Sequence, residues 1–195
     1  MPVTYTNRKG VTYTLYRGET KAGKPRYYFG RAGGEEPVAE LPAGHSISES
    51  VNGVVSLVKD RPSPLQPGEV AAVEAAVRRH PEAKRYRVVA KGRRIEIYER
   101  TGADYVDTLA ELGIFGLSRA QIATRLGDLE ERHARFEPVL RLTLLDREQR
   151  RFGAARMCYL GGIDDWLDLG NLGTAAELAD ALVPTLGTDD FFELL

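Results

Sequence analysis

The chain is poor in cysteine and has no long apolar run, and each shortage excludes a class of protein. Cys158 is the single cysteine, so an intramolecular disulfide and a metal site built from several cysteines are both excluded. No apolar run reaches the roughly 20 residues that a membrane-spanning helix requires, and residues 1–6 lack the layout of a secretion signal. We therefore expect a cytoplasmic protein that does not enter a membrane.

Histidine is also scarce, and motifs for catalysis are missing. His45, His80 and His133 are far apart and show no spacing typical of metal ligands. No serine lies in the Gly-x-Ser-x-Gly pattern of a hydrolase nucleophile, and Cys158 lies in a predicted strand, where a small buried thiol is common. The sequence thus predicts no catalytic residue, no metal site and no cofactor.

Composition and charge indicate a folded protein with unequal halves. Hydrophobic residues make up 43% and charged residues 28% of the 195 positions, which is typical of soluble folded proteins. The net charge of −1 hides a contrast, because residues 1–100 hold 18 Lys and Arg against 11 Asp and Glu, whereas residues 101–195 hold 9 against 17. Such a contrast indicates either a half that faces nucleic acid or two halves that attract each other.

Alternating apolar and polar residues, broken by turn residues, predict antiparallel strands in the N-terminal part. The predicted strands are Thr4–Thr6, Val11–Tyr16, Arg26–Phe29, Val54–Val58 and two that flank the turn at residues 91–93. A helix is predicted over Glu69–His80, after a proline-rich linker at residues 60–68.

Capping boxes and further alternation predict the elements of the second half. Ser118 with Gln121, and Thr174 with Glu177, each mark the start of a helix. The first helix is predicted to end near Arg135, with His133 on its apolar stripe, and the second to continue to Leu186. Strands are predicted at residues 139–145, 151–159 and 163–169, and a short helix is predicted after Thr188.

These elements predict an α+β fold of antiparallel sheets with flanking helices. We expect two mixed modules, a basic β-rich module with one helix at residues 1–100 and an acidic α+β module at residues 101–195. Whether the two modules share a core is open at this stage.

The strongest functional pattern combines cations with aromatic residues. Bases stack on aromatic rings while cations track phosphates, and this pattern is present around the second and third strands and again at residues 84–94. The predicted contact residues for nucleic acid or a partner are Arg17, Lys24, Arg26, Tyr28, Arg85, Arg87 and Lys91. The last three are expected on one face of a strand, where solvated charges are an equally simple interpretation.

Three weaker patterns complete the candidates. Asp164, Asp165 and Asp168 could hold a divalent cation, or could be turn and surface residues beside a buried Trp166. The glycines at positions 30, 33 and 34 do not fit a phosphate-binding loop. The terminal residues 191–195 (FFELL) could dock on another protein, although packing on the chain's own core is favoured.

Several segments, GKPRYYFGR, LPAGHSISESVNGVVSLVK and MCYLGGIDDWLDL followed by the terminal FFELL, resemble a family of uncharacterised bacterial proteins with the same order of motifs. That family has no assigned activity, so the resemblance implies a bacterial intracellular protein of unknown function and gives no site residue.

Three functions follow as hypotheses. The first is a non-enzymatic protein-interaction module with an unknown protein partner, because no catalytic constellation is present. The second is a nucleic-acid-binding module that uses the basic, aromatic N-terminal sheet. The third is a small enzyme that depends on the three aspartates. Oligomeric state is left open.

Overall fold

The computed structural model describes residues 1–31, 33–102, 109, 111–112, 118–159 and 164–193. Its strands are β1 (Thr4–Thr6), β2 (Thr12–Glu19), β3 (Pro25–Gly30), β4 (Glu36–Pro37), β5 (His45–Glu49), β6 (Val55–Lys59), β7 (Tyr86–Lys91), β8 (Arg94–Thr101), β9 (Arg135–Asp146), β10 (Arg151–Tyr159) and β11 (Asp164–Gly173). Its α-helices are α1 (Pro67–Arg79), α2 (Arg119–His133), α3 (Ala175–Leu182) and α4 (Asp189–Glu193). The antiparallel sheets and these helices confirm the predicted α+β class.

The chain divides into two compact units that interleave along the sequence. The first unit contains residues 1–61 and 102–135, and the second contains residues 62–101 and 136–195. These units do not follow the predicted modules, because β8 and β9 are neighbours in one sheet although 33 residues separate them along the chain. The charge contrast is therefore not a contrast between units, since the first holds 13 cations against 12 anions and the second 14 against 16.

The first unit is built on hairpins whose turns the sequence encodes. Strands β1, β2 and β3 form a meander, β4 also pairs with β2, and β5 pairs with β6. At the β1–β2 turn, the Asn7 Oδ1 accepts hydrogen bonds from the amides of Lys9 and Val11, and Gly10 has a φ of 77° that a residue with a side chain would resist. Asn7 Nδ2 also donates to the Gly53 carbonyl at 2.6 Å, which joins this turn to the β5–β6 turn.

The second unit is an antiparallel five-stranded sheet with two packed helices. The strand order is β11-β10-β9-β8-β7; α1 packs against β7 and α3, and α3 packs against β10 and β11. Leu140, Leu142 and Leu144 alternate along β9 and are fully buried in this core, as the sequence pattern predicts. No helix in the described part of the chain is long and apolar enough to cross a membrane.

The C-terminal ends of α2 and α3 come earlier than predicted, because the next strand or 3-10 helix begins there. α2 ends at His133, which is exposed and not part of an apolar stripe, and Phe136 lies on β9. Pro138 lies in β9, beyond the residues that pair with β10, so its missing N–H does not weaken that ladder. α3 ends at Leu182 because Pro184 lies in a short 3-10 helix that follows it.

Candidate functional site

The predicted cations of the first unit lie on two faces of its sheet. Arg17 on β2 is opposite Tyr27, whereas Arg26 on β3 is opposite Gly18. Because successive residues of a strand point to opposite faces, Arg17 is separated from Arg26 and Tyr28. Lys24 is exposed and directly precedes β3.

Arg26 and Tyr28 come together, but they do so beside two carboxylates. The Arg26 guanidinium lies 5.7 Å from the centre of the Tyr28 ring. Glu19 and Glu35 line the same small hollow, of about 170 Å³. Negative charge beside a cation weakens its attraction for phosphate, so this hollow is poorly suited to a nucleic-acid backbone.

Two of the three cations in the second predicted group already have partners. Arg85 lies in a 3-10 helix before β7 and not on the strand, and it forms ion pairs with Glu99 at 2.7 Å and Glu82 at 3.1 Å. Arg87 donates to the carbonyl of Tyr86 at 2.8 Å and lies over the Phe136 ring. Lys91 is exposed at the end of β7. The three side chains therefore do not form one row along a strand.

The three aspartates all belong to β11, and two of them, Asp165 and Asp168, accept hydrogen bonds from its backbone. Asp164 and Asp165 begin the strand and are not turn residues. Asp165 accepts a hydrogen bond from the Trp166 amide, and Asp168 accepts one from the Gly170 amide. Across the described ranges, no three His, Cys, Asp or Glu side chains are grouped so that they could hold a metal ion. The residues just before these aspartates, including the Gly161-Gly162 pair whose sequence predicts a turn, lie outside the described residues.

A cavity of about 140 Å³ opens at one end of the second unit's sheet. β8 ends there, β9 begins there and β10 ends there, because antiparallel neighbours run in opposite directions. The segment after α3 closes the remaining side. The lining residues are Glu99, Thr101, Glu137, Val139, Met157, Tyr159, Leu186, Gly187, Phe191 and Phe192. Among the described residues of the lining, all side chains apart from two carboxylates and two hydroxyls are apolar.

The two C-terminal phenylalanines have different roles at this cavity. Phe191 is buried and anchors α4 to the core, as predicted, whereas Phe192 remains 61% exposed. The two rings meet edge to face with their centres 5.7 Å apart. The Phe192 carbonyl accepts a hydrogen bond of 2.9 Å from Arg156 on β10. Leu194 and Leu195 lie outside the described residues.

A buried hydroxyl lies next to the cavity wall. Tyr86 is only 2% exposed, and its hydroxyl has no hydrogen-bond partner among the described residues. Burial, and then the negative charge of Glu99, raises the pKa of Tyr86 to about 12. Glu99 is the cross-strand neighbour of Tyr86, and a Cβ placed on Gly187 would lie 2.9 Å from the hydroxyl.

We expect Tyr86→Phe to leave stability unchanged or to raise it by about 1 kcal/mol at pH 7, because an unpartnered buried hydroxyl costs free energy. The pKa of Tyr86 is raised from 10 to about 12 in the folded protein. The stability that follows from this shift is fully present below pH 10 and is lost as the pH rises toward 12. The variant should lose less stability over that range. Urea unfolding followed by the fluorescence of Trp166, the single tryptophan, measures both effects; a loss above 1 kcal/mol at pH 7 would contradict an unpartnered hydroxyl.

A second buried polar group lies in the same sheet and is fully satisfied. Glu96 is 6% exposed, and it accepts hydrogen bonds from the Tyr98 hydroxyl at 2.9 Å and from Arg141 Nε at 2.8 Å. The Arg141 guanidinium also lies 3.7 Å from the centre of the Trp166 ring. Burial and the hydrogen bond to Glu96 raise the pKa of Tyr98 to about 12. This network stabilises the sheet and leaves little capacity for a ligand.

Sequence reasoning missed the cavity except at its C-terminal phenylalanines. Glu99, Glu137 and Met157 come from three strands, and no spacing in the sequence links them. Comparisons of this chain with family models, with curated proteins and with solved structures find no match.

Proposed function

We propose that this protein is a non-enzymatic protein-interaction module whose cavity receives one apolar side chain of a partner protein. The observation that carries the proposal is the size and character of the cavity. An apolar cavity of roughly 150 Å³ accepts a benzene-sized group, whereas pockets for small molecules and cofactors have volumes of about 300–1,000 Å³. A volume of about 140 Å³ thus fits a leucine or phenylalanine side chain.

Exposed aromatic residues at the mouth support a protein partner. Phe192 and Tyr159 are 61% and 50% exposed, and both line the cavity. Aromatic residues are enriched in protein interfaces because they bury a large area and lose little side-chain entropy. A partner that fills the cavity would cover these two rings, and burial of its own side chain would contribute about 1.5–3 kcal/mol.

The structure around the predicted nucleic-acid contacts and around the aspartates supports protein binding over nucleic-acid binding and over an aspartate-dependent enzyme. The predicted nucleic-acid contacts are divided between two sheet faces and two units, and Arg85 and Arg87 have partners. Asp165 and Asp168 make local hydrogen bonds to the backbone, which is a structural role.

A display library of random 12-residue peptides, selected on the full chain, tests the proposal. We expect the selected peptides to bind the Phe192→Ala variant at least tenfold more weakly, because this truncation removes a wall of the cavity; a tenfold loss corresponds to about 1.4 kcal/mol. Leu172→Ala is the matched control, since Leu172 is a comparably exposed apolar residue of the same unit and does not line the cavity. Equal binding by both variants and the wild-type protein would overturn the proposal.

A further inference from the structure

We infer that the partner segment is basic, with Lys or Arg residues flanking the apolar side chain that enters the cavity. The inference rests on the proposed function, because it specifies the ligand of the same cavity. The inference depends on the charge around the cavity mouth. The proposed function depends instead on the volume and the apolar lining of the cavity.

One carboxylate at the cavity and three on the helix that carries Phe191 and Phe192 form no ion pair among the described residues. Glu137 lines the cavity and is exposed. Asp189, Asp190 and Glu193 are exposed on α4, the helix that carries Phe191 and Phe192. Among the described residues, none of these four carboxylates forms an ion pair. Their charge is therefore available to a ligand.

Two cations that contact residues of the cavity lining, Arg85 and Arg156, are already engaged. Arg85 is shared between Glu82 and Glu99, so two negative charges offset its single positive charge. Arg156 is buried, and its guanidinium donates to the Phe192 carbonyl. From residue 157 to residue 195 the sequence contains no Lys or Arg. An apolar site bordered by negative charge attracts a partner whose apolar anchor lies between positive charges.

The carboxylates are exposed, so their contribution must depend on ionic strength. The Debye length falls from about 10 Å at 0.1 M salt to about 3 Å at 1 M salt. A basic partner should therefore bind more weakly as salt is added, while contacts of the apolar anchor are little affected. This difference separates the inference from the proposed function in one set of measurements.

The test uses synthetic copies of the peptides selected on the full chain whose binding is weakened by Phe192→Ala. We expect these peptides to carry Lys or Arg within four positions of an apolar residue. Replacing those cations with Gln should weaken binding at least tenfold at 50 mM salt, and much less at 500 mM salt. The double protein variant Glu137→Gln with Asp190→Asn should weaken binding of the basic peptides several-fold. It should leave the binding of the Gln-substituted peptides unchanged.

Glu148→Gln is the charge control, because Glu148 is exposed in the β9–β10 turn and does not line the cavity. If binding requires Phe192 but is unchanged when the peptide cations are replaced, the inference is overturned and the proposed function stands. If the selected peptides prove acidic, the inference is overturned as well. If no selected peptide responds to Phe192→Ala, both fail.

Discussion

Glu96→Gln is expected to lower the free energy of unfolding of the second unit by about 3 kcal/mol. The substitution keeps the shape of the side chain but removes the charge that balances Arg141, whose side chain is only 19% exposed. Removing one partner of a buried ion pair leaves the other charge without compensation, which costs about 3–5 kcal/mol. Stacking on Trp166 compensates part of that cost, so the lower end of the range applies.

Urea unfolding followed by Trp166 fluorescence measures this loss directly, since the tryptophan lies beneath Arg141. Glu74→Gln is the control, because the ion pair of Glu74 with Arg78 is exposed and 3.8 Å long, and its loss should cost about 0.5 kcal/mol or less. The double variant Glu96→Leu with Arg141→Met should recover most of the stability, since apolar residues replace both charges. A loss below 1 kcal/mol for Glu96→Gln would contradict a buried, mutually dependent pair.

Gly187→Ala is expected to destabilise the second unit by about 2–3 kcal/mol, for two reasons that add. Gly187 has a φ of 76°, a conformation that costs a residue with a side chain about 1–2 kcal/mol. The new Cβ would also lie 2.9 Å from the Tyr86 hydroxyl, closer than van der Waals contact permits. The two groups cannot separate easily, because Tyr86 is buried and its ring packs edge-on against His80.

Two comparisons isolate the contact between position 187 and Tyr86. Gly92→Ala carries a similar conformational cost, because Gly92 has a φ of 59°, but no described atom lies within 4 Å of its Cβ position. In the Tyr86→Phe background, Gly187→Ala should cost about 1 kcal/mol less than in the wild-type protein, since the hydroxyl is gone. Equal losses for Gly187→Ala and Gly92→Ala would show that the cavity wall is looser than the structure indicates.

The elements that the sequence predicts well are those with local signals. The side chains of Ser118 and Thr174 accept hydrogen bonds from the amides of Gln121 and Glu177, so these capping boxes fix the helix starts within four residues. The β1–β2 and β7–β8 turns likewise contain their own glycines, at positions 10 and 92. Such signals need no knowledge of the rest of the fold.

The interleaved units and the cavity could not be predicted in this way. Strands β8 and β9 are neighbours in the sheet. Nothing in the sequence of either strand indicates that it lies beside the other. Glu99, Glu137 and Met157 approach one another only after the sheet has formed. Cations interleaved with aromatic residues predict one basic surface, but the register of β2 and β3 places Arg17 and Arg26 on opposite faces, and the spacing of residues along the sequence does not determine that register.

The most direct test of the proposed cavity function is a methyl spectrum of the full chain labelled with ¹³C at its methionine methyl groups. The chain has two methionines; Met157 lines the cavity, and Met1 is fully exposed and serves as an internal control, with assignment by Met157→Leu. We predict that a saturating amount of a selected peptide shifts the Met157 resonance and leaves that of Met1 unchanged. Peptide binding that leaves the Met157 resonance unchanged would contradict the proposal, because the partner would then bind elsewhere.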